Sequence, residues 1–432
     1  MKELWKPLFV MGIAATISIG CASEKSGITQ TIEESPEPVT LKMYTLAQSF
    51  SDEDFKRLVL DPVQRKYPHI HIELMVEPND YSGAGLEKFI IAGNVPDLIY
   101  ANTQNIGGYS GDLQAIIDLN GPIKQYQYEL DRLNSEAINS IKSYGKNGEL
   151  FGIPFSINGA GLYYNKDIFD KFGVPYPKDG STWDDILELG KRLARTDGEV
   201  IYKPLGIAGF THLATSLSLP YIDTTTGKAS FATEGWKRAA EVFKMIKELP
   251  QNKFNGSPDT FFMAKQELAM YATYDNVILF LEQLQSSGKA LNFDIASYPN
   301  FQEKRGIGLG FDAKVLLVSS KTKHVKEALQ VMASMTSDEV QMMVTRSGRI
   351  SALKDARFKE NFGKDLVALQ GKNVPALFNN VQAFKPPVTK EVSAVTKIIN
   401  AAAKEIEDGK DINTALREAD EKANKELQAL RN

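Results

Sequence analysis

Few side chains in this sequence have the type and spacing that covalent or metal chemistry requires. There is no G-x-S-x-G nucleophile motif, and the S-x-x-K spacing of Ser320 and Lys323 stands without further catalytic partners. His69 and His71 point to one face of a predicted strand, but no cysteine or third histidine stands nearby to complete a metal site. We therefore expect neither a catalytic nucleophile nor a bound metal ion.

Two further enzyme chemistries depend on glycines or on carboxylates. The glycines at 306, 308 and 310 lack the G-x-G-x-x-G spacing that places a pyrophosphate at a helix N-terminus, so we expect no nucleotide cofactor. A glycosidase needs two opposed carboxylates, and the 54 acidic residues leave such a pair open. The 50 basic residues give a net charge of -4, which argues against a nucleic-acid binder because phosphate binding needs clustered positive charge.

The start of the chain has the organisation of a secretion signal. Lys2 and Lys6 precede a mostly apolar stretch over residues 7–20 that is too short to span a bilayer. Cys21, the only cysteine, follows directly, and the sequence around it resembles the lipobox of bacterial lipoproteins, with Ser18 where leucine is usual. This resemblance implies a signal peptide over residues 1–20 and a diacylglyceryl group on Cys21 that anchors the protein at the outer face of the cytoplasmic membrane. The alternative is a buried, unreactive thiol.

Residues 21–39 predict a lipidated, solvated tether, because serine, glutamate, threonine and proline dominate over large apolar residues. From residue 40 the pattern alternates between strand and helix, with strands over 41–46, 70–76 and 97–100 and helices over 52–66 and 86–92. This is the pattern of a parallel α/β layer, whose ligands lie beyond the carboxyl ends of the strands. The polar residues at those ends are Gln48, Asn102 and Gln104.

Later segments predict amphipathic helices that serve packing. Thr182 is the expected N-cap of the first, with Asp185 completing a near capping box, and Trp236 is expected in the core of the second. The predicted helices cover residues 182–195, 233–249, 324–335, 337–346, 394–406 and 415–430.

A segment in the middle of the chain predicts an extended strand with one polar face. Gly152 and Pro154 break helical continuity, and apolar residues alternate with Ser156 and Asn158. Asn158 is either a ligand-binding side chain or a turn-stabilising residue next to Gly159.

The same region carries a family resemblance. The stretch FGIPFSINGAGLYYNKDIFDKFGV, residues 151–174, resembles the family 1 extracellular solute-binding proteins of ABC importers. The resemblance extends in order to GNVPD at 93–97, FMAKQELAMY at 262–271, GRISA at 348–352 and the closing segment at 398–427. The chain departs from the family pattern at Ser351, where proline is usual, and at Lys265 and Gln266, which replace a glycine.

The resemblance implies an α/β, two-lobe periplasmic-binding-protein-like (type II) fold with a hinge and an interlobe cleft. Lobe 1 is expected over residues 40–155 and 309–345, and lobe 2 over residues 156–308 and 346–432. It also implies capture of a small polar solute, most simply a sugar or oligosaccharide, by a monomer without a cofactor. Separate ABC permease and ATPase subunits are the implied partners.

Ten residues are expected to bind the solute. Fixed amides and carboxylates would bind its hydroxyl groups, and aromatic rings would cover its apolar faces. From lobe 1 we take Gln48, Asn102, Gln104, Phe311 and Asp312, and from the hinge and lobe 2 Asn158, Phe210, His212, Tyr274 and Asp275.

Several of these residues have a structural alternative. Phe311 and Asp312 are equally interpreted as a core residue and a cap, and His212 as an ordinary loop histidine. Tyr274 and Asp275 stand near the place where relatives often carry a glycine and a tryptophan.

Two rival functions remain compatible with an anchored extracellular protein. One is an envelope hydrolase acting on glycan or peptide, and the other is a solute sensor for a membrane kinase. Turnover of a glycan or peptide would identify the first, and a response that persists without the permease would identify the second.

Overall fold

The computed structural model describes residues 37–46, 49–77, 85–111 and 113–432. Cys21, the predicted signal peptide and Gln48 lie outside the described residues. The strands of the described part are β1 (Val39–Thr45), β2 (Ile70–Val76), β3 (Leu98–Asn102), β4 (Gly152–Ile157), β5 (Ala160–Asn165), β6 (Arg195–Asp197), β7 (Val200–Ile207), β8 (Leu268–Tyr274), β9 (Phe293–Ser297), β10 (Ile307–Gly310), β11 (Ala313–Val318), β12 (Ile350–Ser351) and β13 (Val381–Ala383).

Helices account for most of the remaining regular structure. They are α1 (Asp52–Phe55), α2 (Asp61–Lys66), α3 (Gly85–Ile91), α4 (Ile106–Ser110), α5 (Asn120–Gln125), α6 (Ser135–Lys142), α7 (Lys166–Phe172), α8 (Trp183–Leu193), α9 (Phe210–Ser216), α10 (Glu234–Glu248), α11 (Val277–Ser286), α12 (Val325–Met335), α13 (Asp338–Arg346), α14 (Ala356–Glu360), α15 (Lys390–Glu407) and α16 (Ile412–Arg431). A π-helical segment, Lys56–Leu60, joins α1 to α2, so the predicted helix over residues 52–66 is present.

The first sheet has the order β12-β4-β11-β3-β1-β2. β1 pairs in parallel with both β2 and β3, as the strand and helix alternation predicts. β11 arrives from far along the chain and pairs antiparallel with β3 on one side and β4 on the other. Its start therefore lies beside the carboxyl end of β3.

The second sheet has the order β6-β7-β8-β5-β9. α8 begins after Thr182, whose side chain and that of Asp185 form the predicted capping box. Trp236 is fully buried, as its position on the inner face of α10 predicts. α15 and α16 pack against α10 and close this half of the molecule.

The two sheets support separate hydrophobic cores, and we call the half of the molecule built on the first sheet the first domain and the half built on the second sheet the second domain. One core, against the first sheet, contains residues from two stretches of the chain, Leu41 to Ile157 and Phe311 to Phe358. The second sheet contributes to two further clusters, one closed by Val395 to Leu427 and one by Phe362 to Leu377. The predicted lobe boundaries at residues 155, 308 and 345 stay a prediction. β12 and Phe358 follow residue 345, yet β12 pairs with β4 of the first sheet and Phe358 packs in the first core.

The chain passes between the sheets at adjacent places. One passage runs from β4 through Asn158 and Gly159 to β5, and a second runs from β10 through Phe311 and Asp312 to β11. The Asn158 N–H donates to the Asp312 carbonyl at 3.0 Å, which ties these two passages together. β13 pairs in parallel with β10 and adds a third segment to this hinge.

Candidate functional site

Polar side chains converge where β3 ends and β11 begins. Lys314 on β11 is the register partner of Asn102 on β3, and its Nζ donates to Asn102 Oδ1 at 2.6 Å. The next residue, Thr103, donates from Oγ1 to Asp312 Oδ1 at 2.5 Å. Strand pairing across more than 200 residues of sequence thus brings together the predicted site residues Asn102 and Asp312.

The second domain presents an aromatic pair to the same place. Tyr274, at the end of β8, donates from its hydroxyl to the Gly310 carbonyl at 2.8 Å. His212 lies on α9, not in a loop, with its ring edge-on to Tyr274 at a centroid distance of 5.6 Å. Asp312 acts electrostatically on both side chains, so these three predicted residues share one environment.

His212 is held neutral and has an unused polar atom. Burial, with the Lys385 cation adding to it, lowers the pKa of His212 to about 4. Nδ1 of the ring has no hydrogen-bond partner among the described residues. Because an unpaired polar atom is costly in a buried position, this nitrogen is a candidate partner for a ligand hydroxyl, which can both donate and accept a hydrogen bond.

Asp275 stands at the passage between the domains. Its main-chain N–H donates to the Gly159 carbonyl at 2.9 Å, and only 4% of the residue is exposed. Burial raises the pKa of the Asp275 carboxyl to about 7, against the lowering effect of the Gly159 main chain and of the Lys314 and Arg349 cations. The carboxyl therefore changes charge near neutral pH while facing two cations of the first domain.

Sequence reasoning missed those two cations. Burial lowers the pKa of Lys314, which is the single charged residue of an otherwise apolar strand, AKVLLV. Arg349 donates to Asp54 Oδ2 at 2.6 Å. Burial raises the pKa of Asp54, but Arg349 and Arg57 bring it below its usual value. The sequence signal that could have identified Lys314 is a single lysine among buried apolar residues. For Arg349 the signal is its position inside the GRISA motif.

The other predicted residues lie apart from this cluster or engage it through the main chain. The Asn158 carbonyl accepts from Gln382 Nε2, so its main chain has a structural role, and side-chain binding to a ligand stays a prediction. Phe210 packs edge-on to Phe243 within the second core at 5.3 Å, and Phe311 packs in the first core. Gln104 is exposed.

Two hollows in the surface differ in whether predicted site residues line them. One of about 480 Å³ takes lining residues from both halves of the molecule, among them Ile157, Phe311, Ser351, Leu377 and Gln382. Its size falls in the range of small-molecule pockets. Another hollow of about 540 Å³ is lined by residues between Lys359 and Asn379. None of the predicted site residues lines it.

Within the described ranges no three His, Cys, Asp or Glu side chains are grouped so that they could hold a metal ion. No helix there has the length and apolar character needed to cross a membrane.

Comparison with known proteins identifies the family. Residues 44–342, more than half of the chain, match the family described as bacterial extracellular solute-binding protein. The chain belongs to this family. The resemblance derived from the sequence motifs is therefore confirmed, as is capture of a solute as the kind of activity, because this is a family of binding proteins.

Curated relatives of this solute-binding protein include sugar binders. It is 24% identical over 378 residues to the multiple sugar-binding protein of Streptococcus mutans, covering 83% of this chain and 85% of the relative. It is 27% identical over 224 residues to the arabinooligosaccharide-binding protein of Bacillus subtilis, covering 51% of this chain and 47% of the relative.

Solved structures confirm the two-domain fold. An ABC substrate-binding protein from Listeria monocytogenes in complex with cycloalternan superposes with a TM-score of 0.73 at 18% identity. The superposition covers 91% of this solute-binding protein and 100% of that chain. The predicted α/β, two-lobe fold class is thus correct.

Proposed function

We propose that this solute-binding protein captures a sugar or short oligosaccharide between its two domains and delivers it to an ABC permease and ATPase. The observation that carries the proposal is the polar cluster at the hinge, where Asn102, Lys314 and Asp312 of one domain meet Tyr274 and Asp275 of the other. The sugar-binding relatives support the class of ligand.

The geometry suits a ligand with many hydroxyl groups. A hydroxyl both donates and accepts, so it can bind a carboxylate such as Asp312 and also a cation such as Lys314. These groups are fixed by hydrogen bonds before ligand arrives, which reduces the ordering cost of binding. A ligand that touches both domains favours the closed form through the contacts that only that form provides.

The proposal includes a membrane anchor. Cys21 would carry the acyl chains, residues 22–38 would be a tether that ends where Val39 begins β1, and the protein would act as a monomer at the outer face of the membrane. Replacing Cys21 with alanine is expected to release the protein into the medium and to abolish incorporation of a radiolabelled fatty acid. Retention of the label in that variant would contradict lipidation at this residue.

A thermal-shift panel of mono- and oligosaccharides tests the ligand class. A true ligand raises the melting temperature, with a stabilisation of about 2.7 kcal/mol at 100-fold excess over Kd. We expect at least one neutral sugar to do so and to remain chemically unchanged on prolonged incubation. Conversion of any sugar into product would instead favour the hydrolase, and no shift with any sugar would remove sugars as the ligand class.

Titration calorimetry then tests the site with a matched pair of variants. Lys314→Met removes the half-buried cation that bonds Asn102, whereas Lys321→Met removes an exposed lysine just past the same strand. Losing a charged hydrogen-bond donor to the ligand is expected to weaken binding by roughly tenfold or more, with no effect from Lys321→Met. Equal affinities in the two variants would place the ligand away from this cluster.

A further inference from the structure

Between β13 and α15 the chain contacts the first domain. We call residues 384–389 the strap. It begins after Ala383, whose carbonyl accepts from the Phe311 N–H at 2.8 Å. It ends at Thr389, whose side chain accepts from the Val392 N–H and caps α15. Because α15 packs within the second core, both ends of the strap are held by the hinge and the second domain.

The middle of the strap lies against the first domain. A Cβ added to Gly107 of α4 would stand 2.1 Å from the Val388 carbonyl oxygen, so the strap backbone rests directly on the bare helix backbone. The Val388 main chain also lies close enough to the Tyr144 hydroxyl, just beyond α6, to act on its pKa. Ile106 and Tyr109, on either side of Gly107, belong to the first core, and Tyr144 packs against that core, so this docking surface is part of a packed domain.

The docking surface adjoins the candidate site. Asp312 acts electrostatically on Tyr144 as well as on His212. Lys385, within the strap, also acts electrostatically on His212, with the opposite sign to Asp312. The strap thus runs past the place where the two domains present their polar side chains to each other.

We propose that the strap is an interdomain latch, which holds the first domain against the second and so favours the closed, ligand-retaining form. Pro386 and Pro387 fix the backbone and limit how far the strap can bend when the domains separate. Opening must therefore break its contacts with Gly107 and Tyr144. These two are positioning residues, since they act on the ligand only through the strap and the balance of open and closed forms.

Two adjacent glycines provide the test. Gly107→Ala introduces a methyl group where the strap backbone stands, whereas a Cβ at Gly108 meets nothing within 4 Å. Both changes raise helix propensity in α4 by the same amount, so their difference isolates the strap. We expect small-angle X-ray scattering of ligand-free protein to give a larger radius of gyration for Gly107→Ala than for wild type or Gly108→Ala.

Ligand affinity is the second readout, and in that respect the inference rests on the proposed function. Gly107→Ala is expected to weaken binding about fivefold or more, because couplings between conformation and binding commonly have that size. Tyr144→Phe, which removes the hydroxyl next to the Val388 main chain and keeps the ring packing, is expected to act in the same direction by a smaller factor. That milder variant keeps the test valid if Gly107→Ala fails to fold.

The outcomes separate the two proposals. An unchanged radius of gyration and unchanged affinity in Gly107→Ala and Tyr144→Phe would overturn the latch, and so would tighter binding in either variant. The scattering measurement requires no ligand. If wild type binds no sugar, the proposed function fails while the scattering comparison of Gly107→Ala with Gly108→Ala still decides the latch.

Discussion

Two buried glutamines on neighbouring helices differ in how their amides are used. Gln330 on α12 is 1% exposed, and neither end of its amide has a hydrogen-bond partner among the described residues. Gln341 on α13 donates to the Phe155 and Met335 carbonyls, each at 3.0 Å, and accepts from the Ser351 hydroxyl at 2.7 Å. One amide is therefore a cost to folding, and the other joins three segments of the first domain.

This difference predicts opposite effects of the same substitution. Gln330→Met removes an unpaired polar group at similar volume and is expected to raise the free energy of unfolding by about 1 kcal/mol. Gln341→Met leaves several buried groups without partners and is expected to lower it by about 2 kcal/mol or more. Urea denaturation of both variants measures the difference. Destabilisation by Gln330→Met would indicate that its amide binds a partner such as a buried water.

Asp275 predicts a pH dependence of stability. Burial raises the pKa of its carboxyl to about 7 from the ordinary value of 3.8, so the folded protein binds a proton there between about pH 4 and 7 that the unfolded chain releases. The contribution of this carboxyl to stability is therefore complete below about pH 4 and is lost as pH rises to 7. Asp275→Asn removes this dependence.

The measurement is urea denaturation of wild type and Asp275→Asn at pH 5, 6 and 7. The free energy of unfolding of wild type should fall relative to the variant as pH rises, by at most about 1.4 kcal/mol per pH unit. Taking the difference cancels the titration of the other carboxyls. Parallel curves for the two proteins would show that the Asp275 carboxyl ionises at its ordinary pKa.

At the scale of elements, the capping of two threonine-led helices gives a controlled comparison. Thr182 before α8 accepts from the Asp185 N–H at 3.3 Å, and Asp185 Oδ2 accepts from the Thr182 N–H at 2.8 Å. Thr233 before α10 makes no side-chain cap bond. Thr182→Ala is therefore expected to lower the free energy of unfolding by about 1 kcal/mol, and Thr233→Ala by only a few tenths. Equal losses on thermal melting would contradict the assigned caps.

The same elements show what could be predicted from the sequence. α8 and α10 follow from caps and from apolar residues at helical spacing, which are local signals and do not depend on the rest of the fold. Asn102 was predicted because a strand end is also local. Lys314 and Arg349 could not be placed, because their position depends on β11 and β12 joining a sheet begun more than 200 residues earlier. Pairing between distant strands leaves no periodic trace in the sequence.

At the scale of the whole molecule, charges of both domains meet at the hinge. Asp54 and Arg349 of the first domain form one ion pair, and Lys314 lies close enough to Asp275 of the second domain to act on its pKa. Since opening and closing both change the distance between groups on different domains, we expect such charges to couple ligand capture to the balance of open and closed forms. The strap would add a contact of the same kind at a neighbouring place.

Two arginines on one segment test this coupling. Arg349 pairs with Asp54 with less than a fifth of either side chain exposed and also acts on Asp275 across the hinge, whereas Arg346 pairs with Asp365 at the surface. Arg349→Met removes a cation that faces both domains, so we expect ligand affinity to fall by about fivefold or more. Arg346→Met removes an exposed ion pair, which contributes little, and affinity should stay at the wild-type value. The affinities are compared by calorimetry with the sugar that stabilises wild type. An equal loss of affinity in both variants would mean that general destabilisation of this segment controls binding, rather than charge at the hinge.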